Sequence, residues 1–363
     1  MLKFIHAADF HLDSAFGALP ARQAAARRRE SREMLFRLSN YVNSNGIDLV
    51  LLAGDLFDSG SVYAETREQL AQALGQMEAR VFIAPGNHDC YGRGWETTHW
   101  PDNVHIFREN HLSAVEIPEW NLVVHGAAFT SPEQTDGFLT GFTVPKDGMR
   151  HIAVLHGELE SAQPRYAPLR KEEVAASGLD YLALGHVHKR MVPQTLGKTV
   201  CAWPGCIEGR GFDELGEKGF CEGTLDDEGK VSLKFVPFAR RRYEILEVDV
   251  TGQEVRAAVE AALPEETAQH LYRILLTGET GETGADTVAL QEALAERFYL
   301  LDIRDHTRMA ENLWARAEED SLRGLFLREL RTRWSAAGTE EERERVTQAA
   351  RFGLAALDHR DLG

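Results

Sequence analysis

The sequence predicts an α/β layered domain, followed by a small α+β unit and a helical tail. Three observations carry that prediction. Short apolar runs alternate with helical stretches through the first half of the chain. Each of several such runs ends on a turn carrying Asp, Asn or His, most often beside glycine. Toward the end, apolar residues recur at helical spacing among charged ones.

Residues 2–8 form an apolar strand that stops at Asp9. Residues 21–44 are helical, because the stretch is Ala-rich and Met34, Leu35, Leu38 and Val42 share one face. The unbroken apolar run 47–53, bounded by Gly46 and Gly54, has the pattern of a parallel strand buried on both faces. A helix over 65–77 and a short strand over 81–84 follow, the strand stopped by Pro85-Gly86. Strands are expected at 104–107, 113–117, 122–127, 151–155 and 181–184, with a helix at 169–176. Residues 200–203, 219–225 and 231–237 read as further strands that close the sheet of this domain. Arg240-Arg241-Arg242 marks a hinge. The expected boundaries are therefore 1–240 for the main domain, 241–306 for a β-α-β-α-β cap, and 307–363 for the helical tail. In the tail, Leu322, Leu325, Phe326, Leu330 and Trp334 make an apolar stripe that Gly338 breaks, and a weaker stripe covers 346–357.

Composition excludes some functions. With 40 basic and 57 acidic residues the net charge is -17, which rules out a histone-like or tail-driven nucleic-acid binder. A nuclease stays open, because bound metals and local basic patches override the sum. The apolar runs fall far short of the roughly 20 residues of a membrane span, and the first residues lack a signal-peptide layout. Cys90, Cys201, Cys206 and Cys221 show no paired-ligand spacing, so a reducing cytoplasm is the expected location.

The chemistry lies in five short motifs at strand ends. They are Asp9-Phe10-His11, Gly54-Asp55-Leu56-Phe57-Asp58, Gly86-Asn87-His88-Asp89, His156-Gly157-Glu158 and Gly185-His186-Val187-His188. In open α/β sheets, sites form at the carboxyl ends of strands. Carboxylate oxygen and imidazole nitrogen suit manganese, iron or zinc, and one aspartate can bridge two ions. Any single motif is commonplace. All five together, in this order, are not.

The set resembles the calcineurin-like metallophosphoesterase superfamily over residues 1–240. Within it the chain is similar to DNA repair exonucleases of the SbcD type, and most of all to the YhaO-type branch. Residues 2–13 (LKFIHAADFHLD), 156–158, 181–188 (YLALGHVH) and 203–219 (WPGCIEGRGFDELGEKG) carry that branch likeness. The resemblance implies helices flanking two packed β-sheets. It implies two divalent ions, manganese foremost, which activate a water for phosphodiester hydrolysis. Asp9, His11, Asp55 and His188 would hold the first ion. Asp55, Asn87, His156 and His186 would hold the second, with Asp55 bridging. His88 would be catalytic, giving a hydrogen bond or proton near the scissile phosphate and leaving oxygen, and Asp58 would orient His88 or another site histidine. DNA and an SbcC-like or YhaN-like coiled-coil ATPase are the implied partners, since the chain has no Gly-x-x-x-x-Gly-Lys-Ser/Thr loop of its own. The stripe from Leu322 to Trp334 is the expected docking surface, and a homodimer suits two-fold engagement of a duplex end.

The branch pattern is broken at two positions, where Cys206 and Gly211 replace an amide and an imidazole, which leaves substrate preference open. Candidate substrate contacts are Arg210, which equally fits a structural salt bridge; Arg28, on a helix side shared with Arg22, Arg27, Arg29, Arg32 and Arg37; and Tyr166, placed to stack on a base. His6 reads as a buried, hydrogen-bonded residue and Cys90 as structural. Two other functions stay in play: a phosphodiesterase or phosphomonoesterase for small substrates, and a non-catalytic scaffold.

Overall fold

In the computed structural model the described residues are 1–58, 62–92, 94–160, 165–281, 284–309 and 313–357. The strands and helices are β1 (Leu2–Ala7), α1 (Ala21–Ser44), β2 (Leu49–Leu52), α2 (Ala64–Gly75), β3 (Arg80–Ile83), β4 (Val104–Ile106), β5 (Ser113–Ile117), β6 (Leu122–Gly126), β7 (Arg150–His156), α3 (Lys171–Ser177), β8 (Tyr181–Gly185), β9 (Gln194–Leu196), β10 (Thr199–Ala202), β11 (Gly219–Leu225) and β12 (Val231–Pro237). They are followed by β13 (Tyr243–Asp249), α4 (Val255–Ala262), β14 (Leu271–Thr277), β15 (Glu279–Thr280), α5 (Thr287–Leu294), β16 (Leu300–Asp305), β17 (Arg308–Met309), α6 (Leu322–Ala336) and α7 (Glu340–Leu357).

Two six-stranded mixed sheets pack face to face. One runs β12-β11-β1-β2-β3-β4 and the other β5-β6-β7-β8-β10-β9. Strand alternation builds three apolar layers from these runs. Phe4, Leu49, Leu51 and Phe82 point inward, against Leu122, Val124, Ile152, Val154 and Tyr181 of the second sheet. Their neighbours Ile5, Val50, Leu52 and Val81 point outward, against Met34, Leu35 and Leu38 of α1 and Leu70 and Leu74 of α2. Ala153, Leu155, Leu182 and Leu184 cover the far face of the second sheet with Val174 of α3, Phe129 and Trp203. Burial on both faces is why the runs around β2 and β8 are continuously apolar. The expectation that the later strands close one sheet needs correction. β11 and β12 do extend the first sheet beside β1, but β10 pairs parallel to β8 in the second.

The chain divides into two compact units. The first comprises Met1–Leu246, Glu265–Arg273 and Leu294–Asp302, and the second comprises Glu247–Pro264, Ile274–Ala293 and Ile303–Gly363. A three-stranded sheet has the order β13-β14-β16. In the second unit, α6 and α7 pack through Leu327, Leu330, Ala350 and Leu354, with Leu313 and Ala317 beneath them. The buried stripe thus includes Leu327 instead of Leu322 and Leu325, which are 68% and 60% exposed. The end of the predicted tail, 358–363, lies outside the described residues. No helix among the described residues is long and apolar enough to cross a membrane.

Candidate metal centre

Parallel strands of both sheets deliver their carboxyl ends to one place. Asp9 follows β1, Asp55 follows β2, and Asn87 and His88 follow β3. His156 ends β7, and His186 and His188 follow β8. The two sheet ends nearly touch here. A Cβ added at Gly185 would collide with the carbonyl of Ala53, so only glycine fits. Several site residues hold left-handed backbone: φ is 54° at Asp9, 45° at His11, 50° at Asp55 and 89° at His186. Short turns after the strands force this, at a cost of order 1–3 kcal/mol each.

Among the described residues donor atoms form three groups, the atoms of each within 4.8 Å of one another: the clusters Asp9, His11 and His188, and Asp55, His156 and His186, and beside the first a group of His11, Asp58 and His88. Asp55 Oδ2 lies 3.8 Å from His11 Nε2 and 3.3 Å from His156 Nε2, so it faces both clusters. Asn87 Oδ1 lies 2.9 Å from His156 Nε2 and 3.2 Å from His186 Nδ1.

The proton positions show what this arrangement needs. His156 Nδ1 donates to the Ala53 carbonyl at 2.9 Å, which turns Nε2 toward the Asp55 and Asn87 oxygens. His11 Nδ1 donates to Asp58 Oδ1 at 3.1 Å, and His188 Nδ1 donates to Glu214 Oε1 at 2.7 Å. Their Nε2 atoms then meet at 3.0 Å, where two neutral rings set lone pair against lone pair and a shared proton or a cation relieves them. Asp9 Oδ2 is buried beside them without a hydrogen-bond partner. Clustered acceptors that repel one another, around an orphaned carboxylate oxygen, fit a cation.

The electrostatics agree. Burial, together with the neighbouring Asp55 carboxylate, pushes the Asp9 carboxyl up. Burial opposes ionisation of Asp55, yet His156 beside it holds its carboxyl well below the usual range. His156 is raised to about 9 against its own burial, because Asp55 and Asp9 favour positive charge there. His186 is lowered to about 4 by burial and by His156. A divalent cation supplies the charge that the carboxylates otherwise draw from protons.

His88 is exposed beside these clusters. Its backbone N–H donates to Asp55 Oδ1 at 2.9 Å, and its Nδ1 donates to the carbonyl of Asp58 at 2.8 Å. Asp58 therefore orients two histidines, His88 through its backbone and His11 through its carboxylate. Asp89 sits beneath the site, where its carboxylate accepts from the N–H groups of Gly86 and Leu56 at 2.7 Å and Phe57 at 3.3 Å. Sequence reasoning missed Glu214 and the Ala53 carbonyl. An acidic loop residue and a main-chain oxygen carry no local motif, and only the folded chain brings them to a histidine.

The expected substrate contacts each have partners within the protein. Arg210 bonds Asp58 and Glu214 at 2.8 and 2.9 Å. Tyr166 packs at a tilt against His186, with centroids 4.8 Å apart and planes at 42°. Arg28 donates to the Ala15 carbonyl at 3.0 Å. Three arginines of α1 are held by carboxylates. Arg27 is fully buried against Glu30 and Glu208, Arg32 reaches Asp13, and Arg37 reaches Glu208.

Comparison with known proteins decides the family. The model for calcineurin-like phosphoesterases matches residues 2–190. The chain belongs to the calcineurin-like phosphoesterase family. This phosphoesterase is 30% identical over 343 residues to the uncharacterized metallophosphoesterase YhaO of Bacillus subtilis, spanning 86% of the chain and 83% of that relative. It is 23% identical over 279 residues to the DNA double-strand break repair protein Mre11 of Methanopyrus kandleri, spanning 69% of the chain and 60% of that relative. Among solved structures, TT1561 of Thermus thermophilus matches at a TM-score of 0.39 and 12% identity, over 64% of this chain and 98% of that one.

Proposed function

We propose that this phosphoesterase hydrolyses phosphodiesters with two divalent cations, manganese by resemblance, and that a small phosphodiester or phosphomonoester satisfies its site. The observation that carries the reading is Asp55 Oδ2 facing both donor clusters. Asp9, His11, Asp55 and His188 would hold one cation, and Asp55, Asn87, His156 and His186 the other. When bound, the cations neutralise the phosphate's charge and lower the pKa of an attacking water. The protein's own groups do the rest. Asp58 and Glu214 keep hydrogen on Nδ1 of His11 and His188, so that Nε2 faces inward. Asp89 fixes the two ligand-bearing turns through three main-chain N–H groups. His88 donates Nδ1–H to the Asp58 carbonyl, and in its imidazolium form the second proton, on the exposed Nε2, is the one it gives to the leaving oxygen. The ion pairs of Arg27, Arg32 and Arg37 support a small substrate, because they take up part of the positive charge that α1 would offer a duplex.

The second reading is a DNA exonuclease working with a coiled-coil ATPase. The likeness to Mre11, a DNA double-strand break repair protein, favours it. One experiment separates the two. The manganese-loaded protein and its His88→Ala variant are given a chromogenic phosphodiester, a chromogenic phosphomonoester, an end-labelled linear duplex and a closed circular duplex. Turnover of the small esters alone, lost in the variant, supports the first reading. Stepwise shortening of the linear duplex supports the second. A protein that binds manganese and cleaves none of the four, with or without a coiled-coil ATPase, would sink both.

A further inference from the structure

The side chains behind the first cluster form a continuous arc. Asp58 Oδ1 accepts from His11 Nδ1 at 3.1 Å and from Arg210 Nη1 at 2.8 Å. Arg210 Nη2 donates to Glu214 Oε1 at 2.9 Å, and the same oxygen accepts from His188 Nδ1 at 2.7 Å. We propose that Arg210 and Glu214 are positioning residues, which fix the tautomer and aim of His188 directly and of His11 through Asp58. The proposal rests on the two-cation reading above, and it removes Arg210 from the substrate contacts.

The competition at His188 Nδ1 is what gives Glu214 its role. Two groups approach that nitrogen: Glu214 Oε1 at 2.7 Å and Arg210 Nη2 at 3.1 Å. If Nδ1 accepted from Arg210, the hydrogen would move to Nε2, and the cluster would lose a lone pair. The carboxylate contact is shorter and charge-assisted, so it prevails. Arg210 Nη2 turns to the same carboxylate. Glu214 is itself fixed, being 5% exposed, with Oε2 accepting from the Arg210 backbone N–H at 2.8 Å. A phosphate contact needs free guanidinium N–H groups facing outward. Each terminal nitrogen of Arg210 gives one of its two N–H groups to a carboxylate and its Nε is buried, so the two ion pairs hold the guanidinium against Asp58 and Glu214 and not outward.

A non-additive result follows. Glu214→Ala leaves Arg210 as the neighbour of Nδ1, which turns the ring's lone pair the wrong way. Removing Arg210 as well returns Nδ1 to water and frees the choice of tautomer. The double variant should therefore bind metal better than Glu214→Ala alone.

The test is histidine nitrogen NMR on metal-free protein, which reads the tautomer, and calorimetric titration with manganese, which reads affinity. In Glu214→Ala we expect the His188 hydrogen on Nε2 and a loss of about 10–100-fold at one of two manganese sites. We expect Arg210→Ala/Glu214→Ala to recover part of that loss. Glu214→Gln, which keeps an accepting oxygen, should lose less, and it carries the same test if the alanine variant does not fold. An unchanged tautomer with both affinities within about twofold of wild type would overturn the proposal. So would Arg210→Ala raising KM about tenfold or more at unchanged manganese affinity, the result expected of a phosphate contact. A wild type that binds no manganese would instead refute the two-cation reading, and the metal-free NMR distinguishes that failure from this one.

Discussion

Gly86→Ala tests whether the site is as tightly built as it is drawn. Gly86 lies in the turn after β3, and its N–H is held by Asp89 at 2.7 Å. A Cβ there would press on Asp55 Oδ1, lie 2.6 Å from the Asp55 amide nitrogen, and lie 2.9 Å from His156 Cε1. Real Cβ atoms essentially never approach closer than 3.0 Å, so the Asp55 backbone must move by at least 0.4 Å. Asp55 cannot yield freely, since its neighbours Leu56 and Phe57 are tied to Asp89. A displacement of about 1 Å at reacting groups costs roughly 100-fold in rate, and overpacking a core costs about 1–3 kcal/mol. We expect Gly86→Ala to fold, to lose about tenfold in manganese affinity, and to lose between about 10- and 100-fold in kcat/KM. Gly17→Ala is the control, because a Cβ at Gly17 meets nothing within 4 Å. The assays are calorimetric manganese titration and hydrolysis of a chromogenic phosphodiester, with thermal melting to confirm folding. If Gly86→Ala matched wild type in both affinity and turnover, the tight placement of Asp55 would be wrong.

Three further outcomes follow from the packing. His6 accepts from Tyr181 O–H at Nδ1 (2.8 Å) and donates from Nε2 to the Leu184 carbonyl (3.2 Å), so burial keeps it neutral and lowers its pKa to about 3. Between its ordinary 6.5 and about 3 the unfolded chain takes up a proton that the folded chain refuses. Stability therefore falls as pH falls through that window, by up to about 1.4 kcal/mol per pH unit. His6→Gln, neutral throughout, should lose about 2 kcal/mol less than wild type between roughly pH 7.5 and 5.0 in urea unfolding, and equal losses would refute the assignment. Asp89→Ala strands three main-chain N–H groups and should cost about 3 kcal/mol or more, read as a lowered urea midpoint. Leu327→Ala empties a fully buried position between α6 and α7 and should cost the tail about 2–5 kcal/mol, checked by hydrogen exchange across both helices.

The sheets were legible because their strands are buried on both faces. Leu49 to Leu52 and Tyr181 to Gly185 are apolar without interruption, and each ends at a glycine-bearing turn. The site residues were legible for the same reason, since a strand's end is a fixed place and Asp9, Asp55, His156 and His186 stand at such ends. The partition of later strands was not legible, because Thr199–Ala202 carries no mark of which sheet it joins. The partners of the α1 arginines were not legible, because spacing shows which face a residue occupies and not what covers that face. Arg27 meets Glu208, 181 residues away. Glu214 was hidden for a like reason, as its partner His188 lies 26 residues away, on the other side of β9 and β10 in the chain.

The left-handed turns at Asp9, His11, Asp55 and His186 bear on how this protein would respond to directed evolution. Each of these residues is a poor choice for its own backbone, and glycine would relieve the strain. Asp9 adds a buried oxygen with nothing to accept from. A library screened for heat resistance in a chelating buffer would therefore drift toward glycine at these positions and collect durable, inactive folds. Screening in manganese reverses the pressure, because a bound cation rewards the residues that the bare fold penalises.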